Sequence, residues 1–298
     1  MSAVDDLLAH LSAVDEMVDF AGISPSSASP NILEGILCGA AIRTFSAVEE
    51  FFRQRAKEWA AYITTSRWSP LIFPNGMILF QNRLVSTFPV SFGRADLASR
   101  TQLSGEIGKT FISMNSSYVE GHHLLFGWTG SNVKAKDVED ILVMVGIKKS
   151  WNSLTNLWQR VDAGFPMGGN ARAILNLVAE ARHTAAHEVS PILNATQMRS
   201  VTRQARMIAL LFDAAVSTAL GAISAGKDPD TVLQSLKIRR IEFIAGKWAE
   251  FGVPQKKALR KFDSQQDAMV SARRRPTAAS DLIIAFDGLN VVNWTSPI

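Results

Sequence analysis

The chain has 298 residues, 47% of them hydrophobic and 19% charged, and a net charge of +4. That length and balance suit one large or two ordinary folded domains with a proper core, and exclude an intrinsically disordered chain. The single cysteine, Cys38, excludes an internal disulfide and a cysteine-rich zinc site, which suits a reducing compartment.

The first residues, MSAVDDLLAH, carry two acids and no basic run, so they do not read as a signal peptide. The longest apolar run, 207–225, contains Asp213 and small polar residues and reads as a buried helix rather than a membrane span. A soluble, cytoplasmic protein without a membrane partner is expected. The apolar positions Leu7, Leu8, Leu11, Val14, Val18 and Phe20 predict a helix over 2–21. A loop rich in Pro and Ser leads to Asn31, the expected N-cap of a long helix over 31–65. Its stripe runs Leu33, Leu37, Ala41, Phe45, Val48, Phe52, Ala56, Trp59, Ile63, in steps of three and four that bury one face. Cys38 on this helix reads as a small core residue. Glu49 falls at the edge of the stripe and Glu50 points toward solvent.

Residues 66–93 are rich in Pro, Trp and aromatic or β-branched types, and predict loop with a short hairpin at Asn75-Gly76. Helices are expected near 94–115, 134–145 and 151–161. Between the first two of these, 121–131 is an irregular connection containing His122 and His123, which read as loop residues rather than ligands. The breaker AGFPMGGN ends in Asn170, a cap for the next helix, 171–190, which Pro191 ends. A second long helix follows over 197–225. Gly226 and Asp228-Pro229-Asp230 mark a domain boundary, giving residues 1–226 and 227–298 as the expected domains.

Beyond that boundary, Arg239–Phe251 and Asp281–Trp294 look strand-like and are separated by a helix-like, basic 255–274. Between Lys237 and Arg275 there are eleven Lys/Arg against four acids, a local +7 that leaves −3 for the remainder. Such a segment suits a polyanion. Arg239, Arg240, Lys256, Lys257, Arg260, Lys261, Arg273, Arg274 and Arg275 alternate with Phe243, Trp248, Phe251 and Phe262, as RNA-binding residues over a small aromatic core would. The same residues also fit a mini-core with a solvated basic rim.

The chemistry-bearing stretch is Arg182-His183-Thr184-Ala185-Ala186-His187. Chance alone gives roughly 0.3 Arg-x4-His pairs in a chain of this length, so the spacing matters less than its setting at the end of an amphipathic helix. Cleavage of RNA by its own 2′-OH needs a proton acceptor, a proton donor and positive charge on the phosphorane-like transition state. Histidine can fill both proton roles and arginine can grip phosphate oxygens, without a metal. On a straight helix Arg182 and His187 stand about 140° apart, so they converge only if the helix end loosens or a second copy completes the site.

Together with Glu49 in Ser46-Ala47-Val48-Glu49-Glu50-Phe51, this stretch resembles the HEPN superfamily of ribonucleases, most of all the larger stand-alone proteins of the RiboL-PSP type from prokaryotic defence loci. The resemblance covers about residues 31–225. It implies a mainly α, HEPN-like helical bundle with a small C-terminal α+β appendage, acting as a metal-independent endoribonuclease without a cofactor. Arg182 would stabilise the phosphate and His187 would serve as base or acid. His183 would hold the polar position after the arginine, and Glu49 would pair with Arg182. The resemblance also implies RNA as substrate, a homodimer, a toxin or anti-phage role, and an antitoxin or defence-system protein as partner. One departure is Val189, where nucleotidylated toxins of this kind carry a tyrosine.

Other readings remain open at this stage. The motif can be a structural helix end, with His187 capping carbonyls. His183 and His187, at i and i+4, share a face as zinc ligands do, but no HExxH glutamate is present and only His122-His123 could add a ligand. From a different functional class, the chain can be an inactive scaffold that binds RNA or a protein.

Overall fold

The computed structural model describes residues 2–23, 29–130, 132–161, 170–188, 193–252, 258–274 and 280–298. Among them the chain is mainly helical, with ten α-helices and a small C-terminal sheet of five strands. The expected Val189, Pro191, Lys256, Lys257 and Arg275 lie outside the described residues. Two compact units interleave along the sequence: 1–51, 154–212 and 237–297 in the first, 52–153 with 213–236 in the second.

The first unit contains α1 (Ala3–Ile23), the start of α2 (Pro30–Thr65), the end of α6 (Ser150–Val161), α7 (Ala171–His187) and the start of α8 (Ala195–Ser224). Leu7, Leu11, Val14 and Val18 of α1 are buried, as the helical spacing dictates. Asp15 of α1 holds Thr202 at 2.8 Å and Arg206 at 2.6 Å, and Asp19 holds Arg199 at 2.9 Å, tying α1 to α8. Cys38 is only partly buried, so the small core residue expected there is a border position.

The sheet of this unit has the order β3-β2-β1-β4-β5. Its strands are β1 (Ile238–Ile244), β2 (Lys247–Gly252), β3 (Arg260–Phe262), β4 (Leu282–Asp287) and β5 (Asn290–Thr295), with β1 and β4 parallel and the other pairs antiparallel. Each stretch that reads as one strand is in fact a hairpin. Ala245 (φ 50°) and Gly246 (φ 79°) turn β1 into β2, the pair of left-handed residues a tight two-residue loop requires. Gly288 (φ 57°) opens the second turn. The helix-like 255–274 divides into β3 and a shorter helix, α10 (Gln265–Arg273). One face of the sheet packs Ile241, Ile283 and Ala285 against Ala268, Met269 and Ala272 of α10, bordered by Trp248 and Phe262. On β5, which packs with α1, Trp294 meets Phe51 edge-on at 5.7 Å.

The second unit holds the rest of α2, α3 (Pro74–Arg94), α4 (Leu97–Ser113), α5 (Ala135–Met144), the rest of α8 and α9 (Pro229–Ser235). An ionic network centred on Arg55 lies in its interior. Arg55 Nε donates to Asp213 Oδ1 at 2.7 Å and its Nη2 to Ser217 Oγ at 2.9 Å, while Trp59 Nε1 donates to the same hydroxyl at 3.1 Å. Burial alone would lower the Arg55 pKa, but Asp213 and Glu58 more than offset it and hold it above its ordinary value.

A helix replaces the hairpin expected around Asn75-Gly76. α3 starts with Pro74 in its first turn, where a missing N–H costs nothing, and Met77, Phe80, Leu84 and Thr87 are buried along one side. Phe73 lies over Gly76, where any Cβ would overlap its ring. The glycine that reads as a turn is therefore a packing residue. By length and composition α2 and α8 could each cross a membrane, but the apolar window of α8 is 89% buried inside the protein, against 39% for α2.

Candidate functional site

Asn170 caps α7 by accepting from Ala173 N at 2.9 Å, and Ile174, Leu175, Val178 and Ala181 bury its inner face. That leaves the C-terminal end outside. Arg182 is partly buried, while His183 and His187 are exposed, with ring centroids 4.8 Å apart. The helix runs undistorted to His187, and Glu188 N still donates to Thr184 O at 3.0 Å. The loosened end that would bring Arg182 and His187 together within one chain is absent. They stay about 140° apart around the axis.

Glu49 is buried on α2 at 7% exposure, and Glu50 is exposed, as the helical wheel implies. No ion pair joins Glu49 to Arg182 among the described residues; Glu49 has interactions of its own. The clamp expected from the resemblance is not formed.

The basic segment divides in two. Arg239 donates to Asp281 Oδ2 at 2.6 Å and lies 3.6 Å from Glu250, both carboxylates being buried. Arg240 contacts Glu242 at 3.0 Å, donates to Val161 O at 3.1 Å and lies 4.6 Å over the Phe286 ring. These two guanidiniums are engaged within the unit rather than presented as free charges. Arg260 and Arg273 are exposed and touch Ser271 and Thr295. Lys261 and Arg274 are exposed without a side-chain partner among the described residues.

A second histidine pair, set aside by the sequence as loop, lines a cavity of ≈ 390 Å³ in the second unit. Its walls come from α2 (Lys57, Ala60), α4 (Glu106, Lys109, Thr110) and the connection Glu120-Gly121-His122-His123. That connection is pinned along its length. Val119 N donates to Trp68 O at 2.8 Å, Glu120 N to Ser113 Oγ at 2.8 Å and Gly121 N to Thr64 Oγ1 at 2.9 Å. Beyond the histidines, Thr87 Oγ1 donates to Leu124 O at 3.0 Å and Arg83 to Gly127 O. Gly121 runs directly against the backbone of Ala60, where a Cβ would collide with the carbonyl. Only glycine fits there.

Leu124 N donates to His122 Nδ1 at 3.2 Å, so the proton of the neutral ring sits on Nε2, facing Glu106 Oε2 at 3.3 Å. The two rings lie 4.3 Å apart. Burial lowers the His122 pKa despite Glu106. Burial also pushes His123 down to about 4, aided by His122 and Lys57. Glu106 is held below its ordinary value by a hydrogen bond from Gln102, with burial opposing and His122 adding to the effect. Near neutrality the cavity therefore presents two uncharged imidazoles between ammonium and carboxylate groups. Among the described residues no group of three or more His, Cys, Asp or Glu is placed to hold a metal ion. The sequence could have flagged this loop only through Gly121-His122-His123, which has no periodicity to mark it.

No protein-family model, curated protein or solved structure matches the chain.

Proposed function

We propose that the chain is a metal-independent endoribonuclease of the HEPN type, working in a toxin or anti-phage role, with a site shared between two copies. The observation that carries this reading is the exposed His183–His187 pair directly after Arg182, at the end of a straight amphipathic helix in a mainly helical chain. A solvent-facing imidazole can exchange protons with substrate, and a nearby guanidinium can grip the scissile phosphate. Because α7 is straight, Arg182 of one copy works with His187 of the other. Glu49 then has no part in holding Arg182, and RNA contact from the sheet falls to Arg260, Lys261, Arg273 and Arg274.

The test uses total RNA in EDTA with mapping of the cut ends. Wild type is expected to leave 2′,3′-cyclic phosphates, and Arg182→Ala and His187→Ala to leave the RNA intact. Mixing the two inactive variants restores about a quarter of wild-type activity, since half the dimers are mixed and each keeps one of two sites. Cleavage by either variant at the wild-type rate sinks the assignment, and failure of the mixture sinks the shared site. Salt-sensitive RNA binding without cleavage instead identifies an RNA-binding scaffold.

A further inference from the structure

We propose that the cavity between α2, α4 and the Glu120–His123 connection binds a small phosphomonoester bearing hydroxyl groups, of the sugar-phosphate class. The inference stands apart from the ribonuclease reading, which concerns another helix in the other unit. Lys57 and Lys109 line the cavity, and neither has an ion-pair partner among the described residues. His123 likewise has no hydrogen bond among the described residues, so its ring is available to a ligand. Two ammoniums and one imidazole make three donors, matching the three terminal oxygens of a phosphomonoester, which carries nearly two negative charges. A carboxylate ligand would use fewer of them.

The remaining polar wall accepts rather than donates. The Glu120 carboxylate has no partner among the described residues, and Glu106 keeps free lone pairs beyond its bonds to Gln102 and His122. Carboxylates facing a bound phosphate would repel it unless separated by hydroxyls, which donate to them. A volume of ≈ 390 Å³ lies within the range of small-ligand pockets and exceeds what a bare phosphate fills. The many hydrogen bonds that pin the connection mean that the cavity exists before the ligand arrives.

Charge balance makes a further demand. Lys57 and Lys109 cancel Glu106 and Glu120, and both imidazoles are neutral. A dianion entering this set raises the affinity of His122 and His123 for protons, so binding takes up protons from solution.

Calorimetric titration of the full chain with ribose 5-phosphate, inorganic phosphate and ribose tests this. Ribose 5-phosphate is expected to saturate a single site, more tightly than phosphate, with no heat from ribose. Lys57→Ala and Lys109→Ala should each weaken it about ten-fold. Repeating the titration near pH 7 in buffers of different ionisation enthalpy should show proton uptake, reduced in His123→Asn to the share that His122 takes up. Thermal melts confirm that each variant is folded. No binding of either phosphate, or binding unchanged in folded Lys57→Ala and His123→Asn, overturns the site. Ribose 5-phosphate binding no tighter than inorganic phosphate overturns the hydroxyl-bearing ligand.

Discussion

His183–His187 and His122–His123 are both close imidazole pairs, with ring centroids 4.8 and 4.3 Å apart, but they are built in opposite ways. The first needs nothing beyond a helix: residues four apart share a face, so the pair exists wherever α7 does. It is exposed and borrows no support from other elements. The second joins neighbours in sequence on an irregular connection, and its geometry is imposed by α2, α3 and α4 through Thr64, Thr87 and Ser113. Exposure leaves the first pair available to a large substrate. Partial burial and a pinned connection give the second a fixed shape and displaced protonation. A surface pair suits a polymer, and a pair set in a pocket suits a small molecule.

The contrast predicts very different sensitivities, and the strongest lies in the interior of the unit that holds the second pair. Asp213→Ala leaves Arg55 buried with the outlying Glu58 as its carboxylate and the Ser217 hydroxyl as its neutral partner. A broken buried pair of this kind is expected to cost about 3 kcal/mol, read from denaturant unfolding. A loss under about 1 kcal/mol would show that the network is solvated and the interior less dry than its burial implies.

A smaller effect is expected from acid. His123 is depressed from 6.5 to about 4 in the folded chain, so below pH 6.5 the unfolded state binds a proton that the folded state refuses. Stability is therefore full above about 6.5 and falls as the pH drops toward 4, by up to about 3 kcal/mol from this group. His122 shifts in the same direction. Stability curves of wild type and His123→Asn should diverge in slope only across that window, and parallel curves would mean the ring is open to water.

The smallest effect is expected at the surface pair. His183→Ala and His187→Ala should each change stability by less than about 0.5 kcal/mol, whatever they do to RNA cleavage. A larger loss, measured by the same unfolding experiment, would make the pair a structural helix end.

What could be read in the sequence followed periodicity. The stripe from Leu37 to Ile63, the cap at Asn170 and the outward Glu50 repeat at helical spacing and appear where expected. Local signals without a period misled. Pro74-Asn75-Gly76 has turn chemistry, yet burial of Met77, Phe80 and Leu84 made it the start of α3. Arg239 and Arg240 look like a basic patch because sequence shows their charge but not Asp281, which lies 42 residues away and neutralises Arg239. The cavity of His122 and His123 was invisible for the same reason. Its walls come from three stretches between Lys57 and His123 that only the fold assembles.

The interleaving of the two units bears on the order of events as the chain is made. The first unit draws on 1–51, 154–212 and 237–297, and α1 packs with β5, almost the whole described chain later. α1 emerges from the ribosome long before the strand it packs with is synthesised. Contacts so distant in sequence slow the search for the native state and leave apolar surface uncovered meanwhile. The second unit has its largest segment, 52–153, in one piece, but it too waits for 213–236. Vectorial folding, one unit finished before the next begins, is closed to this chain.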